Sequence, residues 1–461
     1  MIRGGRIPEA LERARRFAAA AEDESAKQSY LDVLRLDPAS LPALTELGAL
    51  AAASGHRSAA RTAFSRAVEH HPNDPVARVS LGDLLAEDGD PGGARLHYQA
   101  ALEADAAFPP AHQGLARVLT ELGVPEAEAH WRPGFTGHAV VKQRYRGTEP
   151  GVPLLLLVSA RGGNLPTRPW IDDRVFAVTA IYADFHDSAE TLPPHALAVN
   201  AIGDADLGGA ALVRAEAMLA RSSAPVINPP GRVRLTARDA QALRLGGIHG
   251  VIAPRTERLK RGDVLAAERL GFPLLLRSPG FHTGQHFVRV ERRDDLVRAA
   301  AGLPGDEVLA IAYLDARGPD GLARKYRVML IDGVLYPLHL AISADWKVHY
   351  FTAGMQAQAA HREEEQQFLD RMPAVLGERA MAALTGIGAA MGLDYAGVDF
   401  ALAPDGSVLL FEANAAMAIV PPDAQPIWDY RRPAVAAVQD AARRMLARRA
   451  GGPGSFQLPR E

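Results

Sequence analysis

Positions 34 residues apart carry the same residue classes throughout the N-terminal part of this chain, and that period restricts the fold more than any other feature. Leu47-Gly48 is answered by Leu81-Gly82 and by Leu115-Ala116, and Gly55 by Gly89 and Gly123. Ala60, Phe64 and Ala67 return as Ala94, Tyr98 and Ala101. One step back from Phe64 is Tyr30, and one step back from Pro72 is Pro38. The pattern suits paired helices. A Leu-Gly pair lets two helices approach, alanines leave room for a facing aromatic ring, and a glycine ends the first helix. Proline ends the second.

This pattern resembles the tetratricopeptide repeat. The resemblance implies an all-α solenoid over residues 1–130, with repeats from about 7 to 130 and a last repeat lacking its second half. Stacks of this kind hold a peptide or a partner protein, so a partner is expected on the array. The formal charge is −3, from 51 Lys+Arg against 54 Asp+Glu, which gives no reason to expect nucleic acid or an anionic membrane as partner. With no cysteine in the chain, disulfides and thiolate metal sites are excluded. The basic N-terminus has an apolar run of only Phe17 to Ala21, unlike a signal peptide, and Val152 to Ala160 is too short to span a membrane. A soluble cytoplasmic protein is the expectation.

Residues 131–150 are rich in Gly, Pro and Arg, lack a period and read as a linker. The texture then changes. Leu154 to Ser159, Val175 to Ile181, Leu197 to Ile202 and Pro225 to Asn228 read as strands, with a helical stretch from Leu207 to Arg221. Strands alternating with helices imply a parallel sheet, hence a small α/β domain over 151–255. Gly162-Gly163-Asn164 after its first strand is either an anion-binding turn or an ordinary tight one.

Near the C-terminus, Val398 to Leu402 and Val408 to Glu412 read as two strands around Asp405-Gly406, a strong hairpin signal. With the turn placed there, Pro404 pairs with Ser407, and counting outward sets Asp399 opposite Glu412. Opposed residues share a face, and strand alternation brings Asn414 to it. Val398, Phe400, Leu409 and Phe411 then point to the other face and form a core. Two carboxylates side by side repel, so a fold retains them where a cation or proton sits between them. Mg²⁺ suits such a pair, since it takes one or two carboxylates and completes its shell with phosphate oxygens and water. By itself the pattern also fits a solvated polar face.

The segment DYAGVDFALAPDGSVLLFEANAAM, residues 394–417, resembles the metal-binding hairpin of the ATP-grasp superfamily, whose glutamate ligases carry a similar Ala-Gly-Val-Asp stretch. The resemblance implies Asp399, Glu412 and Asn414 as Mg²⁺ ligands. Further signals of the superfamily follow in order. LGFPLLLRSPGFHTGQHFVRV, residues 270–290, has a strand, a glycine-rich turn and a second strand. By resemblance Arg277, where many members carry Lys, contacts the ATP phosphates, and the loop with Gly280, His282 and Gly284 closes over them. His286 reads as structural. Residues 307–318 would line the adenine pocket with backbone groups. In residues 325–340, two strands around Asp332-Gly333, Lys325 and Arg327 share a face and reach the phosphates, Arg327 being the favoured contact. His339, Lys347 and His349 form a further polar group. In an extended segment Lys347 and His349 would face an anionic substrate, with Trp346 and Val348 on the other side. The acidic stretch from His361 reads as the solvated start of a helix.

The implied architecture is multidomain: a tetratricopeptide-type solenoid, an α/β pre-ATP-grasp domain over 151–255, an α+β ATP-grasp domain over 256–450 and a flexible tail over 451–461. The implied function is an ATP- and Mg²⁺-dependent ligase that activates a small-molecule or peptide carboxylate as an acyl phosphate for attack by an amine. Arg327 and Lys347 would be its catalytic residues. The alternatives are a nucleotide-binding scaffold with a degenerate grasp domain and a phosphotransferase on the same fold. No G-x-x-x-x-G-K-[ST] loop, H-R-D loop or G-x-S-x-G elbow is present, so rival kinase, P-loop and serine-hydrolase readings lose their usual anchors.

Overall fold

The computed structural model describes residues 6–187, 189–281, 284–348 and 353–451. The chain divides into two compact units, Met1–Gly151 and Val152–Glu461.

The first unit is a series of helices: α1 (Arg6–Ala19), α2 (Asp23–Leu36), α3 (Leu41–Ala53), α4 (Arg57–His70), α5 (Pro75–Glu87), α6 (Pro91–Ala104), α7 (Pro109–Glu121) and α8 (Ala127–Phe135). The short strand β1 (Val140–Lys142) follows. Each helix packs on the next, so the unit is a tetratricopeptide-type helical repeat array. The period has a direct cause. A methyl group at Gly48 would lie 2.5 Å from the ring of Phe64, and one at Gly82, one period on, would lie 2.8 Å from the ring of Tyr98. Gly55, Gly89 and Gly123 have φ of 78°, 80° and 68° where the first helix of each pair ends. One expectation is corrected. The last repeat does have a second helix, since α8 runs into the segment read as a linker. Trp131 and Phe135 are buried there and stack with ring centroids 5.8 Å apart. Pro133 and Gly134 suggested a break, but Gly134 is a packing glycine: a methyl group there would lie 2.9 Å from the backbone of Gln113 on α7.

The second unit begins with parallel strands β2 (Val152–Val158), β3 (Phe176–Tyr182), β4 (Leu197–Asn200) and β5 (Val226–Ile227), β2 lying between β3 and β4. Helices α9 (Gly209–Leu219), α10 (Pro230–Arg234) and α11 (Arg238–Leu245) accompany them. Next come β6 (Val251–Ile252), β7 (Thr256–Lys260), β8 (Leu274–Arg277), β9 (Phe287–Val290), α12 (Leu296–Ala301) and β10 (Glu307–Ala312). Four of these strands form an antiparallel sheet in the order β7-β10-β8-β9. The chain continues through β11 (Ala323–Ile331), β12 (Val334–Ser343), α13 (Ala359–Met391), β13 (Tyr395–Leu402), β14 (Val408–Asn414) and α14 (Arg432–Arg449). These strands and β6 form a mixed sheet in the order β12-β11-β13-β14-β6. The segments 151–255 and 256–450, read as two domains, fall in one compact unit from Val152 onward, with Gly151 in the first unit. Residues 452–461 of the expected tail lie outside the described residues.

β11 shows how the mixed sheet is sided. Tyr326, Val328 and Leu330 pack in a core with Phe368, Leu376 and Leu384 of α13. On the other face, Met329 and Ile331 join a second core with Val435 and Val438 of α14. Lys325 and Arg327 share that second face but open onto a cleft. α13 departs from the solvated helix start expected at residue 361. Glu365 is fully buried, and its carboxylate accepts hydrogen bonds from the guanidinium of Arg431 and the hydroxyl of Tyr430.

Candidate functional site

A cleft of about 380 Å³ lies between the four-stranded and the five-stranded sheet. The hairpin β13–β14 forms part of its floor. Asp399 is the register partner of Glu412, and Gly397 that of Asn414. Two departures from the simple hairpin cancel. Leu402 pairs with Val408, so the loop is longer than a two-residue turn. A bulge at Phe411 then restores the register. The bulge also turns Phe411 into the cleft, not into the core expected for it; Val398 and Phe400 do enter that core, but Leu410 joins them there in place of the expected Leu409.

The opposed carboxylates are each neutralised by cations of the chain. Arg327 grips Asp399 with both donors, Nε at 2.6 Å from Oδ1 and Nη2 at 2.8 Å from Oδ2. Lys325 Nζ lies 3.1 Å from the same carboxylate. Burial pushes the Asp399 carboxyl up, but Arg327 and Lys325 more than offset it and hold it well below the usual carboxylate range. Arg238 Nη2 lies 2.6 Å from Glu412 Oε1, and its Nη1 lies 2.8 Å from Asp206. Arg258 and Asp239 extend this network. Asn414 donates to Glu412 at 2.6 Å and accepts from the backbone N–H of Ala416 at 2.9 Å.

Arg277 projects from β8 into the cleft opposite the hairpin. Its side chain donates to the carbonyl of Phe281, and its charge sits 5.4 Å from the ring centroid of Phe287. Its Nε is buried with no hydrogen-bond partner among the described residues. Burial, reinforced by Arg238, lowers its pKa, so the site bears the cost of a buried, under-paired cation. The glycine-rich turn follows. Gly280 and Gly284 have φ of 76° and 75°, a conformation that favours glycine. A methyl group at Gly284 would lie 2.6 Å from Lys347 Cε, so glycine lets the lysine stem cross the loop. His286 supports the turn: its carbonyl accepts from Ser278, and its ring meets Phe281 edge-on at 4.4 Å. His282 and His349 lie outside the described residues.

Trp346, Lys347 and Val348 all line the cleft, so the alternation expected of an extended segment is replaced by a bend. Trp346 packs edge-on against Phe287 at 5.5 Å, and Lys347 Nζ is 3.5 Å from the Phe287 carbonyl. Apolar walls come from Leu275, Ile311, Leu338 and Leu410, with the 311–316 segment running along the cleft. His339, register partner of Arg327, is buried, and burial together with Arg327 pushes its pKa far down, so its ring is neutral.

Arg277, Gly284, Lys325, Arg327, Lys347, Asp399, Glu412 and Asn414 thus line one cleft. Gly280, beside Leu207, is not among the lining residues. Arg238 and Arg431 line the cleft too and carried no motif. Arg238 is 174 positions from Glu412, a separation no local pattern reveals. Among the described residues, six cations, Arg238, Arg277, Lys325, Arg327, Lys347 and Arg431, and two carboxylates, Asp399 and Glu412, line the cleft. Arg238 and Arg431 are bound in turn to Asp206 and Glu365, so the net positive charge of the lining is smaller than that count.

Among the described residues no group of three His, Cys, Asp or Glu side chains could hold a metal ion. The donor set instead fits an ion carried in on phosphate oxygens, where Mg²⁺ needs only one or two carboxylates from the protein. No described helix is long and apolar enough to cross a membrane.

No protein-family model and no curated protein matches this sequence. Solved structures similar to part of it include tetratricopeptide repeat proteins. A MamA crystal structure is 20% identical over 28% of this chain and 75% of its own, with a TM-score of 0.26. YrrB, described as a TPR protein with an unusual peptide-binding site, is 22% identical over 28% of this chain and 69% of its own, at 0.26. A mutant O-GlcNAc transferase of Thermobaculum terrenum is 16% identical over 49% of this chain and 51% of its own, at 0.31. At these scores the likeness adds nothing to the helical array already described.

Proposed function

We propose that the 152–461 unit is an ATP- and Mg²⁺-dependent ligase of the ATP-grasp type, and that the helical array holds a peptide or protein partner. The observation that carries the proposal is the half-buried Arg277, its Nε buried without a hydrogen-bond partner among the described residues, facing the opposed pair Asp399 and Glu412 across a cation-rich cleft.

In this reading the apolar wall of Leu275, Ile311 and Leu410 receives the nucleobase beside the 311–316 segment. The triphosphate runs between Arg277 and Arg327, where Arg277 Nε gains the acceptor it lacks. Asp399, Glu412 and Asn414 are the residues that would hold Mg²⁺, which supplies charge neutralisation on the phosphates when bound. Lys325 and Arg327 exchange their contacts with Asp399 for phosphate oxygens. Gly284 and Lys347 lie over the phosphates and exclude water. An acceptor carboxylate oxygen takes the γ-phosphoryl group and ADP leaves. An amine then attacks the acyl phosphate, phosphate departs, and the nitrogen gives up a proton. Arg327 and Lys347 stabilise the negative charge in transit, and positioning supplies much of the rate.

Calorimetric titration with ATP and Mg²⁺, followed by phosphate release in pools of carboxylates and amines, tests the reading. Saturable binding with release that needs both pools is expected. Binding without release under any pool would favour a non-catalytic nucleotide-binding scaffold. Release that depends on a hydroxyl compound would favour phosphoryl transfer. Absence of nucleotide binding would sink all three.

A further inference from the structure

The floor of the cleft changes chemistry along the strands. Lys325 and Arg327 of β11 are followed on the same face by Met329, which belongs to the apolar core built with Leu338, Met417, Ile419 and Val435. β13 changes likewise: Asp399 is followed two residues back by Gly397, where a methyl group would lie 2.5 Å from Met417 Sδ. β14 runs from Glu412 to Asn414 in the same direction, and the chain beyond it lays Ala416, Met417, Ala418 and Val420 along the cleft. The 311–316 segment leads instead toward the start of β11, where the Arg324 N–H donates to the Ala316 carbonyl at 3.3 Å, on the Lys325 side of Arg327. The row His339–Arg327–Asp399–Glu412 therefore divides the cleft. Its nucleobase side carries the 311–316 wall, and its far side is bounded by Leu338, Met417, Ala418, Val420 and Val435.

That far side offers a ligand few polar partners. Arg431 faces it, but its guanidinium is bound to the buried carboxylate of Glu365 and lies 4.3 Å from the ring centroid of Trp428. Both ends of the Asn414 amide are engaged, by Glu412 and by the Ala416 N–H. An acceptor whose carboxylate reaches the phosphate beside Arg327 must put the rest of its body against this surface. A charged or hydroxylated body would lose its water there with little in return. From this we infer that the acceptor is a monocarboxylic acid with a compact apolar body, and that dicarboxylates and acids with charged side chains are rejected. The inference rests on the ligase reading of the same cleft.

The trapping experiment uses the full chain with ATP, Mg²⁺ and hydroxylamine. The acid's carboxylate oxygen attacks the γ-phosphorus and ADP leaves. Hydroxylamine nitrogen then attacks the acyl carbon, phosphate leaves, nitrogen loses a proton, and a hydroxamate is formed. Aliphatic and aryl monocarboxylates are compared with dicarboxylates and hydroxy acids. Each methylene that fits the apolar side should raise kcat/KM by roughly 10- to 200-fold until the space is filled. Val420 is 45% exposed, so Val420→Lys leaves the core intact. That variant should shift the preference toward dicarboxylates, read as the ratio of their kcat/KM to that of the apolar acids. Dicarboxylates or hydroxy acids reacting as well as the apolar acids would overturn the inference, as would ATP binding with no response to any apolar acid. Failure to bind ATP at all would instead remove the ligase reading.

Discussion

Arg277→Met should make the second unit more stable while weakening its hold on ATP. The guanidinium is buried at Nε without a partner, and its recorded support is the Phe281 carbonyl and the face of Phe287. Burial lowers its pKa, the sign of a cation that the fold disfavours. Replacing poorly paired buried ions by packed apolar side chains stabilises proteins by about 1–4 kcal/mol. The carbonyl and ring contacts are lost in the exchange, so the lower half, ~1–2 kcal/mol, is the expected gain. For a unit running from Val152 to Glu461 the conversion is roughly 1.5 °C per kcal/mol, so its melting transition should rise by about 1.5–3 °C. Hydrogen bonds to charged groups contribute about 1.5–3 kcal/mol, so ATP affinity should fall by roughly 10- to 150-fold. Melting curves without nucleotide and calorimetric titration with ATP measure both quantities on one preparation. A variant that melts lower than the parent would show Arg277 to be a structural cation. Unchanged ATP affinity would refute its phosphate role.

Three other perturbations test separate parts of the molecule. Glu412→Gln removes one of the two carboxylates on buried Arg238 and leaves Asp206 in place. It should cost about 1–2 kcal/mol in a melt without metal and abolish substrate-dependent ATP consumption, and retained turnover would exclude Glu412 from the phosphate site. Asp399→Asn leaves Arg327 and Lys325 without their carboxylate and should cost about 3–5 kcal/mol at neutral pH. Because the folded-state pKa of Asp399 is depressed, its contribution is full above the unfolded carboxyl value of about 3.9 and is lost only as pH falls below it. Urea melts should therefore show a constant gap between parent and variant from pH 7 to about pH 5, and a gap that closed in that window would contradict the ion pairing. Gly114→Ala drives a methyl group into Tyr98 and should destabilise the helical array by about 1–3 kcal/mol with ATP affinity unchanged, as followed by far-ultraviolet circular dichroism and titration.

The helical array was legible because its packing is local. Each glycine–aromatic contact joins neighbouring helices, so the 34-residue period records the geometry directly. The segment 131–150 was read less well, because Pro133 and Gly134 are breakers by type, and only the approach of α7 shows that glycine to be required. Sequence logic underlay the hairpin too, but by a partly false route. A simple two-residue turn sets Asp399 opposite Glu412; the longer loop shifts the register, and the Phe411 bulge shifts it back. Pairing of the two carboxylates was legible, whereas the direction of Phe411 was not.

The charges around those carboxylates were the least legible part, for a physical reason. Two carboxylates on one face need compensation, but the sequence cannot say whether it comes from a metal or from the chain. Lys325 and Arg327 sit two residues apart on the adjacent strand, so strand alternation finds them together. Arg238, on a helix far away in sequence, could have been found only from the folded chain. Its presence changes the energetics. Asp399 and Glu412 do not store mutual repulsion, because Arg327 with Lys325 and Arg238 with Asn414 already satisfy them. An arriving polyanion therefore has to be favoured by the cations it meets uncompensated. Among the described residues, Arg277 lacks a carboxylate partner, and the Lys347 amine has one long contact, to a backbone carbonyl. Both lie against Phe287, on the opposite side of the cleft from the hairpin. In the ligase proposed above, affinity for phosphate would therefore come first from the cations of the four-stranded sheet, and Asp399 and Glu412 on the five-stranded sheet would stay paired until phosphate drew Lys325 and Arg327 away.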